Sequence, residues 1–143
     1  TTKESDNNVR IAYDQDWQKN HWKSICSAYR SSPYFEYYES ELYPLFQKKK
    51  IALFHFNIVL IEKLMFLIEH SFDYQIVMYD DIKLDIMDSL SSTKKVIKSE
   101  FETYIQVFRN KYGFIPNLSI LDVLFNLGPE TKKYLNNTKL DLN

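Results

Sequence analysis

The side chains best suited to chemistry are concentrated in Trp17 to Arg30, WQKNHWKSICSAYR. At about 100° per residue, Trp17, His21, Ser24 and Ala28 fall on one helical face, while Lys19, Lys23 and Arg30 fall within about 40° of one another on a second. An imidazole on an aromatic face can serve as a general base or hydrogen-bonding group, which makes His21 the catalytic candidate. A row of cations can hold phosphate oxygens, which gives Lys23 and Arg30 a substrate-binding role. The same spacing equally suits a satisfied core histidine beside a solvated cationic face. Cys26 stands about 140° around the helix from His21, so a thiol–imidazole pair within this helix is excluded and the cysteine reads as an inert buried thiol. The three histidines, His21, His55 and His70, have no metal-ligand spacing. There is also no Gly-rich phosphate loop and no nucleophile elbow, so neither metal nor cofactor is expected.

A second cluster lies at Ser31 to Tyr38, SSPYFEYY. Tyr34, Phe35, Tyr37 and Tyr38 can stack on a sugar or base, or form an ordinary aromatic core.

These residues need elements to position them. Asp14 or Asp16 can cap a helix running to about Arg30, which Ser31, Ser32 and Pro33 stop. A second helix is expected from Pro33 to Gln47, with the proline in its first turn. Ile51 to His70 reads as a third, with a polar stripe of His55, Glu62 and Glu69 alongside Lys63 and His70. Asn57 projects from its apolar face, beside Leu53, Ile61, Leu64 and Ile68, and should have a defined partner. Val9–Tyr13 alternates in a way that permits a short strand, period two over Phe72–Met78 and at Ile82, Leu84 and Ile86 predicts one or two more, and the β-branched and aromatic Thr103–Phe108 another, with a loop at 89–99. Towards the end, Gly113 and Pro116 make a turn, Ser119 with Asp122 has the spacing of a capping box, Gly128 stops that helix and Pro129 opens a last short one to Leu135. The fold class is therefore α+β, a helix-rich single domain with a small sheet, spanning 1–143 with a flexible end at 1–8.

Composition narrows the function classes. A chain of 143 residues with 45% hydrophobic and 16% aromatic content can build one sizeable core, which excludes disorder as its default state. Its net charge of −1 leaves no global field to recruit nucleic acid or an anionic membrane. Anion binding must come from a local cluster. The single cysteine suits a reducing compartment, and Thr1 to Arg10 lacks the apolar core of a secretory signal, so a cytoplasmic location is expected. No membrane span is expected, because His55, Asn57, Glu62 and Lys63 interrupt the most apolar stretch.

Two segments, WQKNHWKSICSAYRSSPYFEYY at 17–38 and YIQVFRNKYGFIPNLSILDVLFNLGPETKKYL at 104–135, closely resemble the WbqC-like family of bacterial proteins. The similarity covers most of the chain, with Gln47 to Glu100 matching weakly, and the family pattern includes a section ahead of the first motif that this chain is expected to lack in part. The resemblance implies a place in O-antigen or related surface-polysaccharide production, without a fixed reaction. It also raises the functional weight of Trp17, His21, Trp22, Tyr29, Arg30, Ser31, Ser32, Pro33, Tyr34, Gln106, Asn117, Ser119 and Asp122. Where the family tends toward His and Glu, this chain has Tyr112 and Leu127, so chemistry is not placed there.

The resemblance and the first helix together point to a transferase acting on a nucleotide-activated or amino sugar, by acyl or aminoacyl transfer. His21 is its base, and Trp17, Lys23, Arg30, Ser31, Ser32, Tyr34, Gln106, Asn117 and Ser119 bind the substrate. The alternative is a non-catalytic carbohydrate- or protein-binding assembly factor, partnered by its own copies or by another protein of the pathway. Either way, the first helix and the turn at 113–119 are expected to share one cleft containing His21 and Asn117, with the free amides at that helix start able to hold an anion.

Overall fold

The computed structural model describes residues 9–49, 52–71, 73–75 and 99–140. Six helices account for most of this: α1 (Trp17–Tyr29), α2 (Phe35–Gln47), α3 (Leu53–Leu67), the single turn α4 (Arg109–Tyr112), α5 (Ile120–Leu127) and α6 (Thr131–Asn137), with a 3-10 turn at Gly128–Glu130 joining the last two. The α+β expectation is overturned. Among the described residues, β structure amounts to one antiparallel pairing of two residues on each side, Ser99↔Leu140 and Glu100↔Lys139, plus an isolated bridge between Arg10 and Ala52.

The individual strand expectations fare accordingly. Val9–Tyr13 contributes only the Arg10 bridge. Thr103–Phe108 is not a strand: β-branched and aromatic residues fit a pleated surface, but no edge among the described residues pairs with it and the segment is tied down by side chains instead. The strands expected at Phe72–Met78 and Ile82–Ile86, and the loop at 89–99, lie outside the described residues apart from 73–75 and Ser99, and 73–75 carry no strand.

The helix expectations hold better. α1 begins one residue after Asp16, although that carboxylate makes no side-chain cap. α2 starts at Phe35 and not at Pro33, because the intervening residues form a tight turn: the Ser32 hydroxyl donates to the Tyr29 carbonyl at 2.5 Å and the Tyr34 N–H to the Phe125 carbonyl at 3.0 Å. Pro33 therefore belongs to a connector that fastens the α1–α2 hairpin onto α5. On α3 the polar stripe is exposed, with Lys63 paired to Glu41 at 2.8 Å and Glu62 accepting from the Tyr74 hydroxyl at 2.6 Å. Asn57 is also exposed, so solvent satisfies its amide and the partner expected for it is not needed. The buried face is the one carrying Phe56, Leu64 and Ile68, while Leu53 and Ile61 stay partly in water.

Phe35, Tyr38 and Leu42 of α2, Ile68 at the end of α3, and Leu124 and Phe125 of α5 form the core. Ring contacts bind it together, with centroids 5.1 Å apart for Phe35–Phe125 and 5.2 Å for Tyr29–Phe125. Of the aromatic segment 34–38, Phe35 and Tyr38 are thus core, and Tyr37 is exposed at its edge.

α5 stays apolar on its inner side and is punctuated locally. Ser119 is its N-cap, accepting the Leu121 N–H at 3.3 Å. Only half of the expected capping box forms, because the Asp122 carboxylate turns inward. The Ser119 hydroxyl therefore acts on the helix, and Ser119→Ala is expected to lower stability by about 1 kcal/mol. Denaturant midpoints read this directly, and a change in ligand affinity at unchanged stability would contradict it.

Candidate functional site

α1 offers two different flanks to two cavities. On one flank, Lys19, Trp22 and Lys23 meet Tyr43 near the end of α2, Lys49 just beyond it, and Tyr13 and Asp16 just ahead of α1, around a cavity of about 460 Å³. Trp22 is held by Tyr43 and Phe46, with centroids 5.1 and 5.4 Å away, so its ring is a fixed wall. Lys49 stands over the Tyr13 ring at 5.3 Å. The Gln18 amide donates to the Lys48 carbonyl at 3.1 Å, which ties the segment after α2 to α1 and brings the third lysine within reach. Among the described residues, no carboxylate lies within ion-pair distance of Lys19, Lys23 or Lys49, which leaves their charge available to an anion.

The other flank faces an apolar groove of about 650 Å³ in which Trp17, His21 and Ser24 stand among Ile25, Phe46 and the α3 residues Leu53, Phe56 and Leu60. The exposed His21 ring sits edge-on to Trp17, centroids 5.3 Å apart, and has no hydrogen-bond partner among the described residues. Phe46 lines both cavities and is the wall between them.

A third constellation is buried. The Asp122 carboxylate accepts from the Tyr104 hydroxyl at 2.5 Å and from the Gln106 amide at 3.1 Å, and the half-buried Tyr29 hydroxyl lies within its field. Gln106 also bridges to the backbone of Ile115, donating to its carbonyl at 2.8 Å and accepting its N–H at 2.9 Å. Segment 104–106, the turn ahead of α5, and the end of α1 thus converge on one carboxylate. Burial first, then the nearby Asp122 carboxylate, push the Tyr29 hydroxyl up to about 12, and burial with the same carboxylate raises Tyr104 as well.

Both phenols keep their protons where tyrosines of the unfolded chain, with pKa about 10, lose theirs. Between those values the folded state holds more protons than the unfolded one, so stability must fall as pH rises. Urea midpoints are expected to be level from pH 8 to about 10 and to drop through about 12, with a shallower drop in Tyr104→Phe. A flat profile to pH 12 would contradict the burial of these hydroxyls.

Both sequence motifs run through this framework. The sequence model of the WbqC-like protein family matches residues 1–89 and 84–134, which takes in α1, the aromatic turn, the Tyr104–Gln106 anchor and α5. The chain belongs to the WbqC-like family. No curated protein and no solved structure matches it.

In this WbqC-like chain the two motifs do not build one cleft. His21 lines the apolar groove, whereas Asn117 lines a separate cavity of about 210 Å³ with Tyr104, Leu118 and Tyr134, and no residue is shared between them. The motifs meet instead in the core, through the Tyr29–Phe125 ring contact and the Tyr34 N–H bonded to the Phe125 carbonyl. The basic face of α1 is also divided. Lys19 and Lys23 line the cavity, but Arg30 pairs with Glu39 at 3.6 Å and lies over the Phe35 ring at 5.8 Å. Ser31 is exposed and Ser32 buried, and the Tyr34 ring packs against Gly128.

Gln106 is a buried anchor and Asn117 is exposed, with φ of 55°. Tyr112 and Leu127 line none of the three cavities. Sequence reading missed Lys49, Tyr43 and Tyr13 as site residues, and the lysine run at 48–50 just after α2 was the signal that could have found them. Among the described residues no group of His, Cys, Asp and Glu could hold a metal ion, and no helix is long and apolar enough to cross a membrane.

Proposed function

We propose that the chain serves surface-polysaccharide production by binding a nucleotide-activated or amino sugar in the cavity between α1 and the end of α2. The observation that carries this reading is the cavity's composition: Lys19, Lys23 and Lys49, with no ion-pair partner among the described residues, beside the fixed aromatic faces of Trp22 and Tyr43. Ammonium groups bind phosphate oxygens as point charges, and a base or sugar ring stacks on an aromatic wall. Within this reading His21, on the other flank of the same helix, is the base for acyl or aminoacyl transfer, and the reacting hydroxyl or amine must reach past Phe46 to meet it beside Trp17.

Titration of the intact chain with nucleoside diphosphate sugars, followed by calorimetry, tests the binding. Saturable, salt-sensitive binding is expected. Lys19→Glu with Lys23→Glu should weaken it by on the order of a hundredfold or more, since each charge-assisted bond lost is worth about 1.5–3 kcal/mol. Arg30→Glu should leave it nearly unchanged. Equal affinity in the double variant and the parent would refute the assignment.

One observation favours a second, non-catalytic reading. A working base is ordinarily oriented by a third group, and His21 has no such hydrogen-bond partner among the described residues. Tight sugar-nucleotide binding without turnover in the parent chain would favour a carbohydrate-binding assembly factor, and turnover unaffected by His21→Ala would remove His21 as the base. Loss of turnover by about 10²- to 10⁴-fold at unchanged affinity would establish the transferase.

A further inference from the structure

The apolar groove on the opposite flank of α1 has no occupant of its own in the sugar-binding reading. Besides His21, Ser24 and Trp17 its walls are the apolar Ile11, Ile25, Phe46, Leu53, Phe56 and Leu60, too few hydrogen-bonding groups to compensate the several hydroxyls of a sugar ring. An apolar ligand gains in the same place by leaving water. One polar group is conspicuous. The indole N–H of Trp17, which lines the groove, is shielded from solvent and has no acceptor among the described residues. Shielded in this way, the N–H is closed to a ligand in the groove, which meets the indole ring and not its donor. Charge supplies the rest of the description. Phe46 separates the groove from the cavity bearing Lys19, Lys23 and Lys49, so an apolar space adjoins a cationic one.

We propose that the groove binds the fatty acyl chain of a phosphate-bearing molecule. The chain lies along α3 against the Trp17 ring, and its anionic part lies past Phe46 toward the lysines. The anionic half of this assignment rests on the phosphate-binding reading above, and the acyl half stands on the groove alone.

The experiment uses the intact chain carrying Trp22→Phe, so that Trp17 alone reports. The probes are butyl, hexyl, octyl and decyl phosphate below their micelle concentrations, with the alkanols of the same lengths. Each added pair of methylenes is expected to tighten binding by roughly tenfold. Ser24→Phe fills the groove from an exposed position, and Leu53→Gln makes its partly exposed rim polar. Either should abolish the dependence on chain length while leaving nucleoside diphosphate sugar affinity as it was. Lys19→Glu with Lys23→Glu should weaken the alkyl phosphates and spare the alkanols.

Affinity independent of chain length, or a length dependence untouched by both groove variants, would overturn the acyl assignment even if sugar nucleotides bind through the lysines. Tenfold steps with alkanols and alkyl phosphates binding equally would uphold the acyl chain and overturn its phosphate, together with the lysine reading.

Discussion

Gly128→Ala is expected to destabilise the protein by about 3–5 kcal/mol, from two separable causes. Gly128 has φ of 55° and ψ of −121°, a region that L side chains rarely adopt, and forcing alanine into it is unfavourable by on the order of 1–3 kcal/mol. A Cβ there would also come within 2.5 Å of Tyr34 Cδ1, and the ring has little room to retreat because its own backbone N–H is bonded to the Phe125 carbonyl. Relieving such overpacking requires shifts worth about another 1–3 kcal/mol. A double-mutant cycle separates the two. In a Tyr34→Ala background the clash disappears and the backbone strain remains, so Gly128→Ala should there be less damaging by about the second amount. A cycle with no coupling would mean that the ring does not close over the glycine. The result also bears on Tyr34: a ring needed to cap α5 is not free to stack on a ligand.

The elements that could be read in the sequence are those whose signals are local. Ser119, Gly128 and Pro129 act within a turn of where they stand, and the structure ends and begins its helices there. The α1 boundaries also fall where the sequence marks them, just after Asp16, although its carboxylate makes no cap, and just before the Ser-Ser-Pro that follows Arg30. What misled were residues whose partners lie far along the chain. TYIQVF at 103–108 has the composition of a strand, but a strand exists only with an edge to pair with. Here Tyr104 and Gln106 reach instead to Asp122, 18 and 16 residues away. Asp122 itself, three residues after a serine, imitated a capping box and proved to be a buried acceptor. The same limit applies to the site. Lys19 and Lys23 share a helix and were legible together, whereas Lys49 joins them only because α2 folds back along α1. Arg30, on the same helical face by spacing, is lost to the site because Glu39 and Phe35 hold it.

This division has a functional consequence. The two segments that mark the family are coupled through the core and line different cavities. Residues 104–135 hold the α1–α2 hairpin through the core, and under the proposed function the binding chemistry falls to the hairpin itself. On this view Gln106, Ser119 and Tyr34 act by positioning, and Lys19, Trp22, Lys23 and Lys49 by contact.

Asp122 gives that division its sharpest test. Replacing it with alanine leaves the Tyr104 hydroxyl and one donor site of Gln106 without an acceptor in a buried place, and the expected loss is about 3–5 kcal/mol. Asp122→Asn retains one carbonyl oxygen of similar shape and should lose only about 1–3 kcal/mol, the difference between charged and neutral acceptors. Both losses should appear as lower denaturant midpoints, and the fall in stability above pH 10 should be shallower in each, because Asp122 contributes to the raised tyrosines while burial remains. For the folded Asp122→Asn protein, affinity for nucleoside diphosphate sugars should equal that of the parent, since Asp122 does not line the lysine cavity. If Asp122→Asn keeps full stability and loses binding or turnover, the carboxylate is part of the chemistry and the division between an anchoring segment and a binding hairpin fails.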